Sequence, residues 1–198
     1  DYAEHCAHFT NGPIRILVEA LSEKGQFSAR KEITVGGLVR DVRRRGGRVS
    51  IVLDDKTERL EVTLFDEVFN QFRNLIVKDS MLVVEGQLRF DEFLNAWRVT
   101  AKSVGSVDDA IEEHARRITI QWSADDNQRD FVRSLEEALR PFTHGRCEVC
   151  IEYAGPTARA SLTLGDSWSV KPTLELRERL GVLLGTERYS IHYPKHFV

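Results

Sequence analysis

Between Ile33 and Val104 the chain sets down five runs, ITVGGLVRDV, RVSIVLDD, RLEVTLF, MLVVEGQLRF and NAWRVTAKSV, each bounded by Gly, Asp or Asn. Apolar residues alternate with polar ones in these runs, and a period of two puts every second side chain on one face. Each run therefore predicts a strand with one buried side. The rhythm breaks once, between the third and fourth runs, at DEVFNQFRNLI. There Val68, Phe69, Phe72, Leu75 and Ile76 recur at helical spacing. A sheet with one apolar face must cover that face, by packing on another layer or by closing on itself.

Three strands, a helix and two more strands is the order of a five-stranded OB-fold barrel, and Gly36-Gly37 suits the bend that a small barrel needs in its first strand. We assign the barrel to residues 31–107. Residues 1–30 precede it as a lead-in helical segment, with Ile14, Leu17, Val18 and Leu21 on one face and Gly25 at its end. Residues 108–114, acidic and poor in apolar groups, form a linker or short helix. A second domain, residues 115–198, then alternates differently. RRITIQW reads as a strand and DDNQRDFVRSLEEALRPF as a helix; CEVCIEY and ARASLTL are strands, LELRERLGVLL is a helix opened by Pro172 and stopped by Gly185, and ERYSIHY is the last strand. The order β-α-β-β-α-β closes as a small two-layer sandwich, so the fold class is β + α/β.

The stretch RDVRRRGGRVSIVLDD places Arg40, Arg43, Arg44, Arg45 and Arg48 in and beside the first barrel hairpin, the loop that borders the single-strand groove of OB-folds. The net charge is −3, so the chain does not coat nucleic acid by bulk charge. Residues 31–107 hold 13 Lys/Arg against 12 Asp/Glu, which makes the cluster a patch on a nearly neutral domain. Any binding through it is sharply salt-dependent. The competing reading is a solvated hairpin tip whose glycines serve the turn. Arg59 joins the candidates from the third strand. The outward positions Ser50, Val52, Arg59, Glu61 and Thr63 carry no aromatic ring, so the stacking candidates are Phe93 and Trp97 in RFDEFLNAWR, with packing at the barrel end as the alternative.

Other chemistry is weaker. Cys147 and Cys150 spell CxxC, but on a strand they point to opposite faces, and no second pair completes a metal site. Asp54-Asp55 fits a hairpin turn and Asp66-Glu67 the first turn of a helix, not a two-metal catalytic site. His5, Cys6 and His8 lack a fourth ligand. No phosphate-cradling loop or nucleophile elbow is present, so no cofactor is expected. No run reaches the roughly 18 apolar residues of a membrane span. The first residues lack a signal pattern, and three cysteines fit a reducing compartment, so the expectation is a cytoplasmic protein with no membrane contact. A chain that opens without Met and already helical is expected to be a piece of something larger.

GGLV, GRVSIVLDD and ERLEVTLFDEVFNQFRNLIVKDSMLVVEGQLRFDEF resemble the OB domain of the bacterial DNA polymerase III alpha subunit. HARRITIQW, the helix ending LRPF, ARASLTLGDSWSVKP and LLGTERYSIHY are similar to that subunit's C-terminal domain, and AHFTNGPI resembles the lead-in from its fingers region. The resemblance covers essentially the whole chain. It implies a non-catalytic piece of a nucleotidyltransferase whose catalytic aspartates lie upstream, with Arg43, Arg44, Arg45 and Arg48 near single-stranded template DNA and residues 115–198 binding the tau subunit of the clamp loader. Trp168, Tyr189, Tyr193 and Phe197 crowd the chain end and, with Arg188, are the candidate partner-binding residues, core packing being the alternative. The family also carries a weak sliding-clamp peptide beginning with Gln; here the matching stretch is Arg188 to Tyr193, with Arg in place of Gln. The hairpin is a few residues shorter than the family's, and Glu58 stands where a turn glycine is common. An anticodon-type tRNA-binding OB module shares the barrel pattern, but a synthetase continues into a large catalytic domain. A protein-interaction module without nucleic-acid binding is the third reading.

Overall fold

The computed structural model describes residues 2–28, 30–123 and 128–194, and these fall into two compact units that divide between Ala110 and Ile111. In the first, two helices, α1 (Tyr2–Cys6) and α2 (Ile14–Glu23), precede the strands β1 (Arg30–Arg45), β2 (Arg48–Asp54) and β3 (Arg59–Phe65). Helix α3 (Asp66–Phe72) follows, then β4 (Met81–Asp91) and β5 (Ala96–Ser106). The five strands close as a barrel in the order β1-β2-β3-β5-β4, the five-stranded OB-fold barrel expected from the sequence.

Strand β1 makes the closure possible by serving two neighbours. Its first half, Arg30 to Leu38, pairs with β4, and its second half, Leu38 to Arg45, pairs with β2. The change of partner falls beside Gly37, where a side chain would press within 3.2 Å of the Asp54 backbone, and a register shift between Val39 and Asp41 completes the bend. Strict alternation in β2 and β3 sends Val49, Ile51, Leu53, Leu60, Val62 and Leu64 into the core. Burial of each such side chain is worth about 1.5–3 kcal/mol. Val68, Phe69, Phe72 and Leu75 of the helical stripe pack partly buried on this core, and Ile76 is fully enclosed.

The lead-in helix α2 is pinned by the loop between β2 and β3. Asp55 Oδ2 accepts the first helical N–H, from Ile14, at 2.8 Å, and the Arg15 guanidinium donates to the Thr57 carbonyl at 2.6 Å. A carboxylate there satisfies an otherwise orphaned donor and complements the helix dipole. Helix α4 (Val107–His114) starts at Ser106, whose Oγ accepts from the Asp109 N–H at 3.0 Å while donating to the Asp109 carboxylate, a reciprocal cap.

The second unit contains β6 (Arg117–Ser123), α5 (Gln128–Leu139), β7 (Thr143–Ala154), β8 (Arg159–Thr163), α6 (Leu174–Leu184) and β9 (Tyr189–His192). Its sheet runs β8-β7-β6-β9, with β6 and β7 parallel and the other two pairings antiparallel. Ile118, Ile120, Cys147 and Val149 face Leu135 and Leu139 of α5 and Leu176 and Leu180 of α6 in one core. Pro172 lies just outside α6; Thr173 is the cap, its Oγ1 accepting from the Leu176 N–H.

Candidate nucleic-acid interface

Two residues with positive φ, Gly46 (48°) and Gly47 (73°), turn the chain between β1 and β2, a conformation that a two-residue hairpin demands and that glycine adopts freely. The pairing then fixes which side chains share a face. Arg45 stands opposite Arg48, and Arg48 opposite Phe65; one row further, Arg43, Ser50, Thr63 and Thr100 run across β1, β2, β3 and β5. The barrel's outer face near the hairpin is thus a floor of small hydroxyl residues edged with arginine.

The arginines are not equivalent. Arg40 and Arg59 both donate to Asp54 Oδ2 at 3.1 Å, and Arg43 is held by Asp41 at 2.7 Å. Among the described residues Arg44, Arg45 and Arg48 have no carboxylate partner. Two of them lie over aromatic rings instead, Arg44 over Phe69 and Arg48 over Phe65, each at 5.5 Å from the centroid. Guanidinium over a ring face is a weak electrostatic attraction that leaves the N–H groups available to phosphate.

The acids beside this face have structural employment. The Lys56 backbone N–H, ahead of the opposing effect of burial, and the Arg59 and Arg40 side chains hold the Asp54 carboxyl below its ordinary range. Burial would raise Asp55, but hydrogen bonds from Ile14, Thr57 and Glu58 outweigh it and draw that carboxyl down as well. Among the described residues no group of three His, Cys, Asp or Glu is placed to share a metal ion. Cys6 and Cys147 are buried, and burial pushes their thiols up to about 11 and about 12; Cys150 sits 3.2 Å from the Ser161 hydroxyl.

The two stacking candidates part company. Trp97 is a core residue: it is 8% exposed, donates from Nε1 to Ser22 Oγ at 2.9 Å, and is flanked by Phe27 and Phe90. Its rings are spent on packing and offer nothing to a base. Phe93 is 95% exposed, carried on a turn in which Asp91 Oδ1 accepts from the Phe93 and Leu94 N–H groups. The aromatic that alternation along β3 should have flagged is Phe65, two residues past Thr63 and on the same outer face, 46% exposed.

In the second unit, Trp168, Tyr189 and Tyr193 lie partly buried against the core, and the Tyr189 hydroxyl donates to the Arg177 carbonyl at 3.1 Å. Arg188 donates to the Gln121 carbonyl at 3.1 Å. Residues 189–192 are paired to β6, so this stretch is part of the sheet. Phe197 lies outside the described residues. No described helix is long and apolar enough to cross a membrane.

Comparison with known proteins follows this division. Residues 33–104 match the OB-fold nucleic acid binding domain, and residues 134–185 match the C-terminal domain of DNA polymerase III subunit alpha. Part of the chain is similar to part of the asparaginyl-tRNA synthetase of Pyrococcus horikoshii, at 20% identity and a TM-score of 0.35, covering 38% of this chain and 19% of that one. The DNA polymerase III alpha subunit of Escherichia coli is 36% identical over 187 residues, and that of Haemophilus influenzae 31% identical over 197. These alignments take in 92% and 97% of this chain but only 16% of each relative. With both units and nearly the whole length accounted for in one order, the chain belongs to the DNA polymerase III alpha family and corresponds to its C-terminal region.

Proposed function

We propose that this chain is a non-catalytic C-terminal part of a cytoplasmic replicative polymerase. In this reading the barrel contacts single-stranded template DNA, and the second unit contacts the tau subunit of the clamp loader. The observation that carries the DNA contact is the set of three hairpin arginines without carboxylate partners among the described residues, Arg45 and Arg48 beside the small-residue floor and Arg44, opposite the buried Val49, on the hairpin's other face. Single-stranded DNA supplies both the charge such a cluster lacks and the flexibility to follow a short hairpin. The partner contact rests on family membership and on charge: residues 108–198 hold 12 Lys/Arg against 15 Asp/Glu, a poor ligand for DNA. A clamp contact through residues 188–193 is not part of the proposal, because Arg188 stands where the family's peptide begins with Gln.

The test is the salt dependence of oligonucleotide binding. Replacing Arg44, Arg45 and Arg48 by Ala should leave the melting transition intact and lower the log–log slope by about 2, at about 0.7 per phosphate contact. An unchanged slope would remove the hairpin from the interface. Tau should bind the triple variant as it binds the parent chain.

A further inference from the structure

We infer that Phe65 is a base-stacking seat on the barrel face, kept in place by Arg48, and that this face therefore selects polymers with unstacked bases over duplexes and bare polyanions. The inference rests on the DNA-binding reading and adds a second, uncharged source of affinity to it.

A phenyl ring at the end of a barrel strand would ordinarily be turned into the core. Phe65 is instead 46% exposed, because alternation along β3 points Leu64 inward and leaves Phe65 on the outside. Its cross-strand neighbour is Arg48, whose guanidinium lies 5.5 Å from the ring centroid, and the next residue across is Arg45. The ring thus has a cation over one face, leaving the other face for a base, and small hydroxyl residues, Ser50 and Thr63, one row away. A base stacking on the open side of Phe65 would place its flanking phosphates within the field of Arg45 and Arg48. Arg44, opposite the buried Val49, lies over the half-buried Phe69 on the hairpin's other face, where the ring is taken up by core packing. Asp66 also stands at this end, its carboxylate coming up to Gly47 at the turn. Phe93, though more exposed, is flanked by Asp91 and Glu92, which repel a phosphate backbone. In a duplex the base faces are already stacked on each other, so the ring has nothing to take hold of.

The experiment compares binding of fluorescent oligo(dT) and of an abasic oligomer of equal length to the full chain, across a range of salt. Phe65→Leu keeps apolar bulk and removes the ring. It should weaken oligo(dT) binding about tenfold, leave the salt slope unchanged and leave abasic binding untouched. Phe65→Trp should retain oligo(dT) affinity, and its added fluorescence should be quenched by oligo(dT) and not by the abasic strand. Equal loss for both strands, no loss for Phe65→Leu, or a Phe65→Trp signal indifferent to bases would overturn the inference while leaving the arginine contacts standing. Failure of the parent chain to bind either strand would overturn both. Failure to fold on the part of Phe65→Leu would be detected by its melt and leaves the Trp variant to decide.

Discussion

At one end of β2, Asp54 and Asp55 gather nearly every charge within reach: Arg40 and Arg59 converge on the first, and the backbone of the lead-in helix on the second. At the other end Arg45 and Arg48 face each other across the turn, and neither is ion-paired to a carboxylate among the described residues, although Asp66 comes up to Gly47 there. Both ends are rich in arginine, and only one is electrostatically unfinished. The difference teaches that arginine count is a poor guide to an anion site. What matters is whether the fold has supplied a carboxylate, because a paired guanidinium has little left to offer a phosphate.

The sharpest way to break this contrast is to remove the structural acid. Asp55→Ala strips the acceptor from the N–H groups of Ile14, Thr57 and Glu58 and from the Thr57 hydroxyl. It should cost about 2 kcal/mol of unfolding free energy in denaturant melts, with the hairpin end still binding DNA once folded. The loss has a definite pH dependence. Hydrogen bonding, working against burial, holds the folded carboxyl below its unfolded value of about 3.9. The contribution is therefore complete above that value and is lost as pH falls through the folded one. Asp55→Asn and parent chain should differ by a constant amount near neutrality and converge in acid; a gap that persists in acid would show that shape, not charge, holds the helix.

A gentler change should make the ion-paired end resemble the unpaired one. Asp54→Asn keeps an acceptor for the Lys56 N–H while releasing Arg40 and Arg59 from their counter-ion. If DNA runs along the whole outer face, the salt slope should rise by as much as about 1.4. No rise would confine the strand to the hairpin end. The smallest effect belongs to Arg59→Ala: an exposed ion pair of this kind contributes at most about 1 kcal/mol, and the slope should not move, since that cation is already neutralised.

Much of the barrel was legible because its signals are local. Alternation in β2 and β3, the helical stripe from Val68 to Ile76 and the glycine pair at 46–47 each depend on a few neighbouring residues. What was not legible depends on partners far along the chain. Trp97 is core because Ser22, 75 residues earlier, accepts its N–H. Arg40 and Arg59 are neutralised because the barrel brings both to Asp54, and no spacing rule ties Asp55 to the start of a helix 41 residues before it. Phe65 is a different kind of miss. Its position follows from alternation alone, since it closes the run RLEVTLF, but the outward positions read from the sequence stop at Thr63.

The barrel's seams are unequal, and that inequality bears on how the domain breathes. β1 and β4 are joined from Arg30 to Leu38, whereas β3 and β5 share only the pairs Glu61–Arg98, Val62–Val99 and Thr63–Thr100. So short a ladder has the fewest backbone bonds to break, which places the lowest-energy opening of the cylinder there and the fastest amide hydrogen exchange with it. Arg98 straddles that joint, ion-paired to Glu61 across it and to Asp91 at the foot of the Phe93 turn. It acts as a clasp, so that a polymer lying across Thr63 and Thr100 would press shut the one gap through which this cylinder leaks.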